Sequence, residues 1–255
     1  MVYHLVCLVE SIQLQSEEDD VANLTSGGPG DLVDTVHQEL QRRIMTGALA
    51  PGTRIVERDI AAKLAVSRTP VRQAIRRLSH EGFVVLNPAY RYARPVVAPL
   101  TADDAEELHD LVAWLDARCA LKAAQLPASK RASLTASLDI HNNAFRRAVK
   151  AGDLVLALEQ DDRFHSAYIG AVGGERMTAI RRAAKPQVER YMRSYLPHLQ
   201  QRAVDAPEEH QVIIEAIRAG RPSAAQRAAL QNWRNAAARL QAAIRQGGER
   251  GVWAE

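Results

Sequence analysis

Two sets of residues in this chain have the types and spacing to do chemistry. Arg68, Arg72 and Arg76 recur every four residues in the run DIAAKLAVSRTPVRQAIRRLSHEG, residues 59–82. On a helix that spacing puts three guanidinium groups on one face. Guanidinium forks grip guanine edges bidentately or clamp phosphates, so such a face suits the DNA major groove. A merely solvated helix face is the plainer reading of arginines so spaced. The second set is Asp161, His165 and His210. Asp161 and His165 stand four apart, so a helix projects both from one side. A carboxylate and two imidazoles suit Zn²⁺, Mn²⁺ or Ni²⁺. A helical Asp-x-x-x-His pair is also what a surface ion pair looks like.

The arginines need a helix-turn-helix to carry them. Ile60, Leu64, Val66, Val71, Ile75 and Leu78 step by threes and fours, the pattern of two short helices packed on one side. Ser67 stands where an N-cap belongs, and Pro70 falls in the first turn, where its missing N–H costs little. Upstream, Val33, Val36, Leu40, Ile44 and Met45 predict another helix, which Gly47 stops. Downstream, GFVVLNPAYRYARPVVAPL reads as two short strands around a turn at Asn87-Pro88. Three helices and a hairpin make a winged helix-turn-helix. The hairpin's Arg91 and Arg94 suit the minor groove or the phosphate backbone.

Composition places these elements in a two-domain, mainly α protein. The chain has 255 residues, 47% of them apolar and only 5% aromatic. That is enough for two cores and favours packed helices over sheets. Its net charge of +3 is unevenly spread. Residues 33–98 hold 11 Lys+Arg against 5 Asp+Glu, a net +6, as a DNA-binding segment requires. Residues 1–32 hold 6 acidic residues and no basic one, a net −6, and read as an acidic, disordered leader. No run of 18 apolar residues exists, so no membrane span is expected. The opening MVYHLVCLV lacks the basic start and cleavage site of a signal peptide. Cys7 and Cys119 are expected as reduced thiols of a cytoplasmic protein.

From Thr101 the pattern is helical to the end. Thr101 with Asp104 looks like an N-cap pair opening a helix whose apolar positions are Leu108, Leu111, Leu115 and Ala124. Further helices are expected near Ser129–Lys150, Leu154–Gly170, Arg176–Leu196, Pro207–Ala219 and Pro222–Arg245. Pro186 should kink or split the fourth of these six. The expected organisation is a leader over 1–32, a winged helix-turn-helix over 33–98, an all-α bundle over 99–245 and a tail over 246–255.

The run GALAPGTRIVERDIAAKLAVSRTPVRQAIRRLSHEGFV resembles the DNA-binding domain of GntR-type bacterial transcription regulators, with VSRTPVR as its most specific part. The resemblance implies that Arg58, Arg68 and Arg72 make the main DNA contacts and that a wing residue reaches the minor groove. Ser67, Thr69 and Arg76, on the same segment, complete the candidate DNA-binding set. The family usually has Arg-Gly at the wing turn, whereas here Tyr92 follows Arg91. A tyrosine takes left-handed backbone angles only at a cost.

QDDRFHSAYIGAVGG and EEHQVIIEAIRAG resemble the FCD ligand-binding domain of the FadR subfamily. Many members hold a divalent metal through an Asp-x-x-x-His pair and two further histidines. By that resemblance Asp161, His165 and His210 are metal ligands, and the fourth position falls on Asn232, a poor ligand for Zn²⁺ or Ni²⁺. Asp162 replaces Asp161 if the helix register differs. The family's effector-binding arginine on the first helix of this domain falls on Val112, with Asp116 at the acidic position. An organic-acid effector would then need another cation, and Arg118, Arg190 and Arg193 are candidates by helical position.

The leading reading is therefore a homodimeric regulator, a repressor, that binds a pseudo-palindromic DNA operator and senses an organic or sugar acid. Two alternatives stay open. One is a DNA-binding dimer that senses nothing, which Val112 and Asn232 favour. The other is a metal-dependent hydrolase, against which no separate general base is placed by motif.

Overall fold

The computed structural model describes residues 29–87, 94–199 and 204–252. The chain divides into two compact units between Ala98 and Pro99.

In the first unit, α1 (Pro29–Thr46), α2 (Glu57–Lys63) and α3 (Arg68–His80) precede β1 (Val84–Asn87) and β2 (Arg94–Val97). The helix α1 begins inside the segment expected as leader, at a proline whose fixed φ favours a first turn. Val36, Leu40 and Ile44 from α1 meet Ile60, Val71, Ile75 and Leu78 from the other helices, with Phe83, Val84 and Val97 closing the core. Burying each large aliphatic side chain contributes about 1.5–3 kcal/mol. Gly47 at φ +82° ends α1, as its position predicts.

The turn between α2 and α3 carries Ala65 at φ +52°, the one described non-glycine with positive φ. A Cβ there costs roughly 1–2 kcal/mol, and alanine has the smallest. Val66 N donates to Ala61 O at 3.0 Å, which sets the sharp reversal that presents α3.

The strands pair antiparallel, Val84 opposite Val97 and Asn87 opposite Arg94. Residues 52–55 extend this sheet: Ile55 N donates to Pro95 O and Val97 N to Thr53 O, both at 2.9 Å. The hairpin tip, with Arg91 and Tyr92, lies outside the described residues.

The second unit holds α4 (Ala102–Ala124), α5 (Ala128–Ala151), α6 (Leu154–Val172), α7 (Glu175–Ser194), α8 (Leu196–Leu199), α9 (Ala206–Arg218) and α10 (Pro222–Gly247). Thr101 Oγ1 accepts from Asp104 N at 3.3 Å, the N-cap bond its spacing predicts. The face of α4 that turns inward differs in part from the one expected; it keeps Ala124 buried and Leu108 against the core. Leu111 is exposed, and the buried positions are small or polar, among them Ala105, His109, Val112, Asp116, Ala120 and Ala124. Small residues let α10 lie close along α4, so the expected stripe fails at Leu111.

Pro186 does not split its helix; α7 is continuous from Glu175 to Ser194. Burial of Ala184, Val188 and Tyr191 on either side of the proline outweighs its lost backbone bond. The expected tail is also partly ordered. The helix α10 runs to Gly247, Leu100 and Arg250 pair through their backbones, and Glu249 Oε1 accepts from Ala102 N at 2.7 Å.

Candidate nucleic-acid interface and metal centre

The apolar side of α3 faces the first unit's core, so Arg68, Thr69, Arg72 and Arg76 are exposed together on its opposite side. Ser67 is the N-cap residue with extended backbone, but its hydroxyl makes no cap bond. It is also exposed, so the hydroxyl is available to a phosphate. Arg58, on α2, is more open than Arg68 or Arg72, with 83% of its side chain exposed. Arg94 stands half-exposed on β2. The structure thus brings Arg58, Ser67, Arg68, Thr69, Arg72 and Arg76 onto the exposed surface of α2 and α3, while Arg91 lies outside the described residues.

Sequence reasoning missed Glu57. Its Oε2 accepts from Arg72 Nη2 at 2.9 Å and from Arg68 Nη2 at 3.3 Å, and its Oε1 from Arg72 Nε at 3.1 Å. The Arg72 hydrogen bond, with Arg68 behind it, holds the Glu57 carboxyl below the usual range. One carboxylate therefore ties two exposed arginines of α3 together. Its position 11 residues before Arg68 and 15 before Arg72 is too distant for any helical periodicity to signal.

In the second unit, Asp161 and His165 on α6 and His210 on α9 offer ligand atoms all within 4.8 Å of one another. His210 is fully buried, and neither of its ring nitrogens has a hydrogen-bond partner among the described residues. Its Nε2 lies 3.4 Å from Asp161 Oδ1, outside bonding geometry. The ring stacks on Phe164 with centroids 3.9 Å apart, which fixes its plane. Burial pushes the His210 pKa down against the pull of Asp161, so the ring is neutral and keeps a lone pair to give. Burial disfavours ionised Asp161, but His210, His165 and Lys185 outweigh it and hold the carboxyl well below its usual range. Orphaned imidazole nitrogens beside an ionised carboxylate are the donor set a divalent cation requires, so these residues fit one.

The adjacent residue, Asp162, stands outside this group. Its carboxylate is taken by Lys185 Nζ at 3.0 Å and Arg181 Nη2 at 3.2 Å.

Behind His165 lies a buried polar hub. Its Nδ1 sits 2.9 Å from Asp116 Oδ2 and 2.8 Å from Tyr168 Oη. Tyr168 Oη and Trp233 Nε1 both donate to that same oxygen, at 3.2 and 2.8 Å. With its own proton given to Asp116, Tyr168 Oη accepts the Nδ1 proton, which leaves Nε2 as the lone pair on the Asp161 side. Through Tyr168, Asp116 fixes the tautomer of His165, an arrangement suited to a metal-binding imidazole. Asp116 thus stands behind His165, and Val112, at the expected arginine position, is fully buried in the core.

Asn232 is buried near the site, but its amide donates to Glu209 Oε2 at 2.9 Å. Glu209 also takes Asn235 and a two-point bond from Arg239. The amide nitrogen of Asn232 is thereby tied to a second network. Asp161, His165 and Asn232 line a cavity of about 260 Å³. Of the three arginines expected to meet an acid, Arg193 lines it, paired with Glu189; Arg190 is buried outside it and Arg118 is exposed. Lys185, Arg239 and His109 line it instead, none of which spacing had singled out.

The family model "Bacterial regulatory proteins, gntR family" matches residues 32–89, and the model "FCD domain" matches residues 107–235. An HTH-type transcriptional regulator of Agrobacterium vitis is 28% identical over 137 residues, 54% of this chain and 78% of the relative. The gluconate operon transcriptional repressor of Bacillus subtilis is 27% identical over 187 residues, 72% of this chain and 74% of its own. Among solved structures, a GntR transcriptional regulator of Rhodococcus sp. RHA1 has a TM-score of 0.62 at 22% identity, covering 82% of this chain and 96% of that one. Escherichia coli McbR/YncC has a TM-score of 0.59 at 18% identity, covering 85% and 98%. At these identities the two structures speak for the fold.

Proposed function

Because this chain belongs to the gntR family of bacterial regulatory proteins and carries an FCD domain, we propose that it is a metabolite-responsive repressor that binds a pseudo-palindromic operator as a homodimer. Like its relatives it is a DNA-binding transcription regulator with an effector-binding domain, and not an enzyme.

The finer reading rests on the exposed row of Arg68, Thr69, Arg72 and Arg76 along α3, with Arg58 beside it and the basic hairpin beyond. In this reading residues 33–98 read DNA. The helix α3 enters the major groove, Ser67 and Arg58 meet phosphates, and Arg91 and Arg94 follow the backbone or minor groove. Each half-site takes one such domain. Residues 99–245 dimerise and bind the effector, an organic or sugar acid.

Asp161, His165 and His210 would hold a divalent metal, Zn²⁺, Mn²⁺ or Ni²⁺, with Asp116 orienting His165 and Asn232 placed by Glu209 at the margin. Such a metal supplies a Lewis-acidic anchor for an anionic or hydroxyl group of the effector. Ligand binding must favour one arrangement of the two DNA readers over the other, or it regulates nothing. No described helix is long and apolar enough to cross a membrane, and the proposed place of work is the cytoplasm.

The test is a fluorescence-anisotropy titration against DNA from upstream of the protein's own gene, at fixed salt with random DNA as competitor. Specific binding should exceed binding to random DNA by at least about a thousandfold. Equal affinity for the two would remove the operator reading.

A further inference from the structure

The cavity lined by Asp161 and His165 is walled in large part by apolar side chains, and every lining cation is already matched. Phe145, Ala157, Val188, Met192, Trp233 and Ala236 come from four different helices to form its wall. Arg163 pairs with Glu159 at 2.5 Å, Arg193 with Glu189 at 2.7 Å, Lys185 with Asp162 at 3.0 Å and Arg239 with Glu209 at 2.7 Å. A ligand with several carboxylates would find no free cation for the second. A ligand with many hydroxyls would fare no better. Outside the end lined by Asp161 and His165, the buried polar lining is His109, whose Nδ1 donates to Ala105 O at 2.7 Å, and Asn232, whose amide nitrogen donates to Glu209. Each hydroxyl left without a partner in such a space loses its water for nothing in return.

We propose that this cavity takes a monocarboxylic acid with an apolar body, its acid group at the end lined by Asp161 and His165 and its body along the Phe145–Trp233 wall. The proposal rests on the effector-binding reading above and narrows it, because it excludes the polyhydroxy acids that a sugar-acid sensor would take. Size sets the scale. An apolar cavity of roughly 150 Å³ holds one benzene ring, so about 260 Å³ suits a single ring with a short side chain or a chain of about six carbons.

Hexanoate and gluconate separate these classes directly, since both are six-carbon monocarboxylates that differ in their hydroxyls. Isothermal titration of each into the zinc-saturated, full-length protein should give hexanoate at least about tenfold tighter, the discrimination that one unsatisfied buried hydroxyl supplies. Ala236→Phe, which fills the cavity, should abolish hexanoate binding while zinc content and operator affinity stay unchanged. Met192→Gln keeps the shape of the wall, makes it polar and should weaken hexanoate severalfold, so the argument survives if the larger variant does not fold. Gluconate binding as tightly as hexanoate overturns the proposed class and leaves the effector reading standing. Heat from neither acid overturns both. Hexanoate binding that Ala236→Phe and Met192→Gln leave untouched overturns the assigned site.

Discussion

In the DNA-reading unit Arg58, Arg68, Arg72 and Arg76 turn outward, whereas in the helical unit Asp116, His165 and His210 are withdrawn almost completely from solvent. The first arrangement suits a polyanion that arrives from outside and is met by side chains still largely hydrated. Its energetics are those of counterion release and exposed contacts, each modest and sensitive to salt. The second suits a small charged species drawn out of water, where a carboxylate, two imidazoles and their partners must already be in place. There each interaction is strengthened by low dielectric, and each missing partner is costly. One protein thus keeps two kinds of recognition, and substitutions in one unit should leave the other's readout alone.

The strongest way to break that separation is His210→Ala. It removes a donor with no hydrogen-bond partner among the described residues, so little of the fold should depend on it apart from its stacking on Phe164. Metal bound after dialysis, read by elemental analysis, should drop to background while operator affinity is retained. Full metal content in the variant would remove His210 from the site. Next in size is Arg72→Ala, the mirror experiment. Operator binding should weaken by about 1–3 kcal/mol if Arg72 reads a base or a desolvated phosphate, with metal content unchanged. An unchanged gel-shift titration would take α3 out of the groove. A third substitution, Asp116→Asn, tests the buried hub. An asparagine still accepts from Trp233, but it no longer offers His165 a negative partner. Metal affinity, measured by competition with a chelator, should fall by about 10–100-fold. Unaltered affinity, with an unaltered melting temperature as control, would make Asp116 a packing residue only.

The same contrast explains what the sequence made legible. The helix α3 could be read because its signals are local: a cap position at Ser67, a proline in the first turn, and arginines at a fixed step opposite Val71, Ile75 and Leu78. The Asp161–His165 pair was legible for the same reason. Asp116, Trp233 and His165 come from three helices, with Asp116 and Trp233 117 residues apart, so no window of sequence holds them together. The inward face of α4 was misread because hydrophobicity favours Leu111, whereas close packing against α10 selects alanines and leaves Leu111 outside. The free-cation question was likewise a matter of pairing. Arg193 does line the cavity, but whether it can meet an acid depends on Glu189, one turn away, and sequence alone does not say that the two bond.

The smallest expected effect concerns Glu57, which sits where the two units' logics meet: a partly buried carboxylate among exposed arginines. An exposed ion pair of this kind contributes only about 0.2–1 kcal/mol to stability, so its value lies elsewhere. By holding Arg68 and Arg72 in fixed positions it lowers their ordering cost on an operator, and its negative charge penalises any phosphate that approaches without displacing it. Glu57→Gln keeps the shape and removes the charge. Binding to random DNA should strengthen severalfold, and its salt dependence should steepen by up to about one ion, while operator affinity changes little, so discrimination narrows. Loss of affinity for operator and random DNA alike would mean that Glu57 merely supports the fold of α2 against α3, and the arginines would then be positioned by the helix alone.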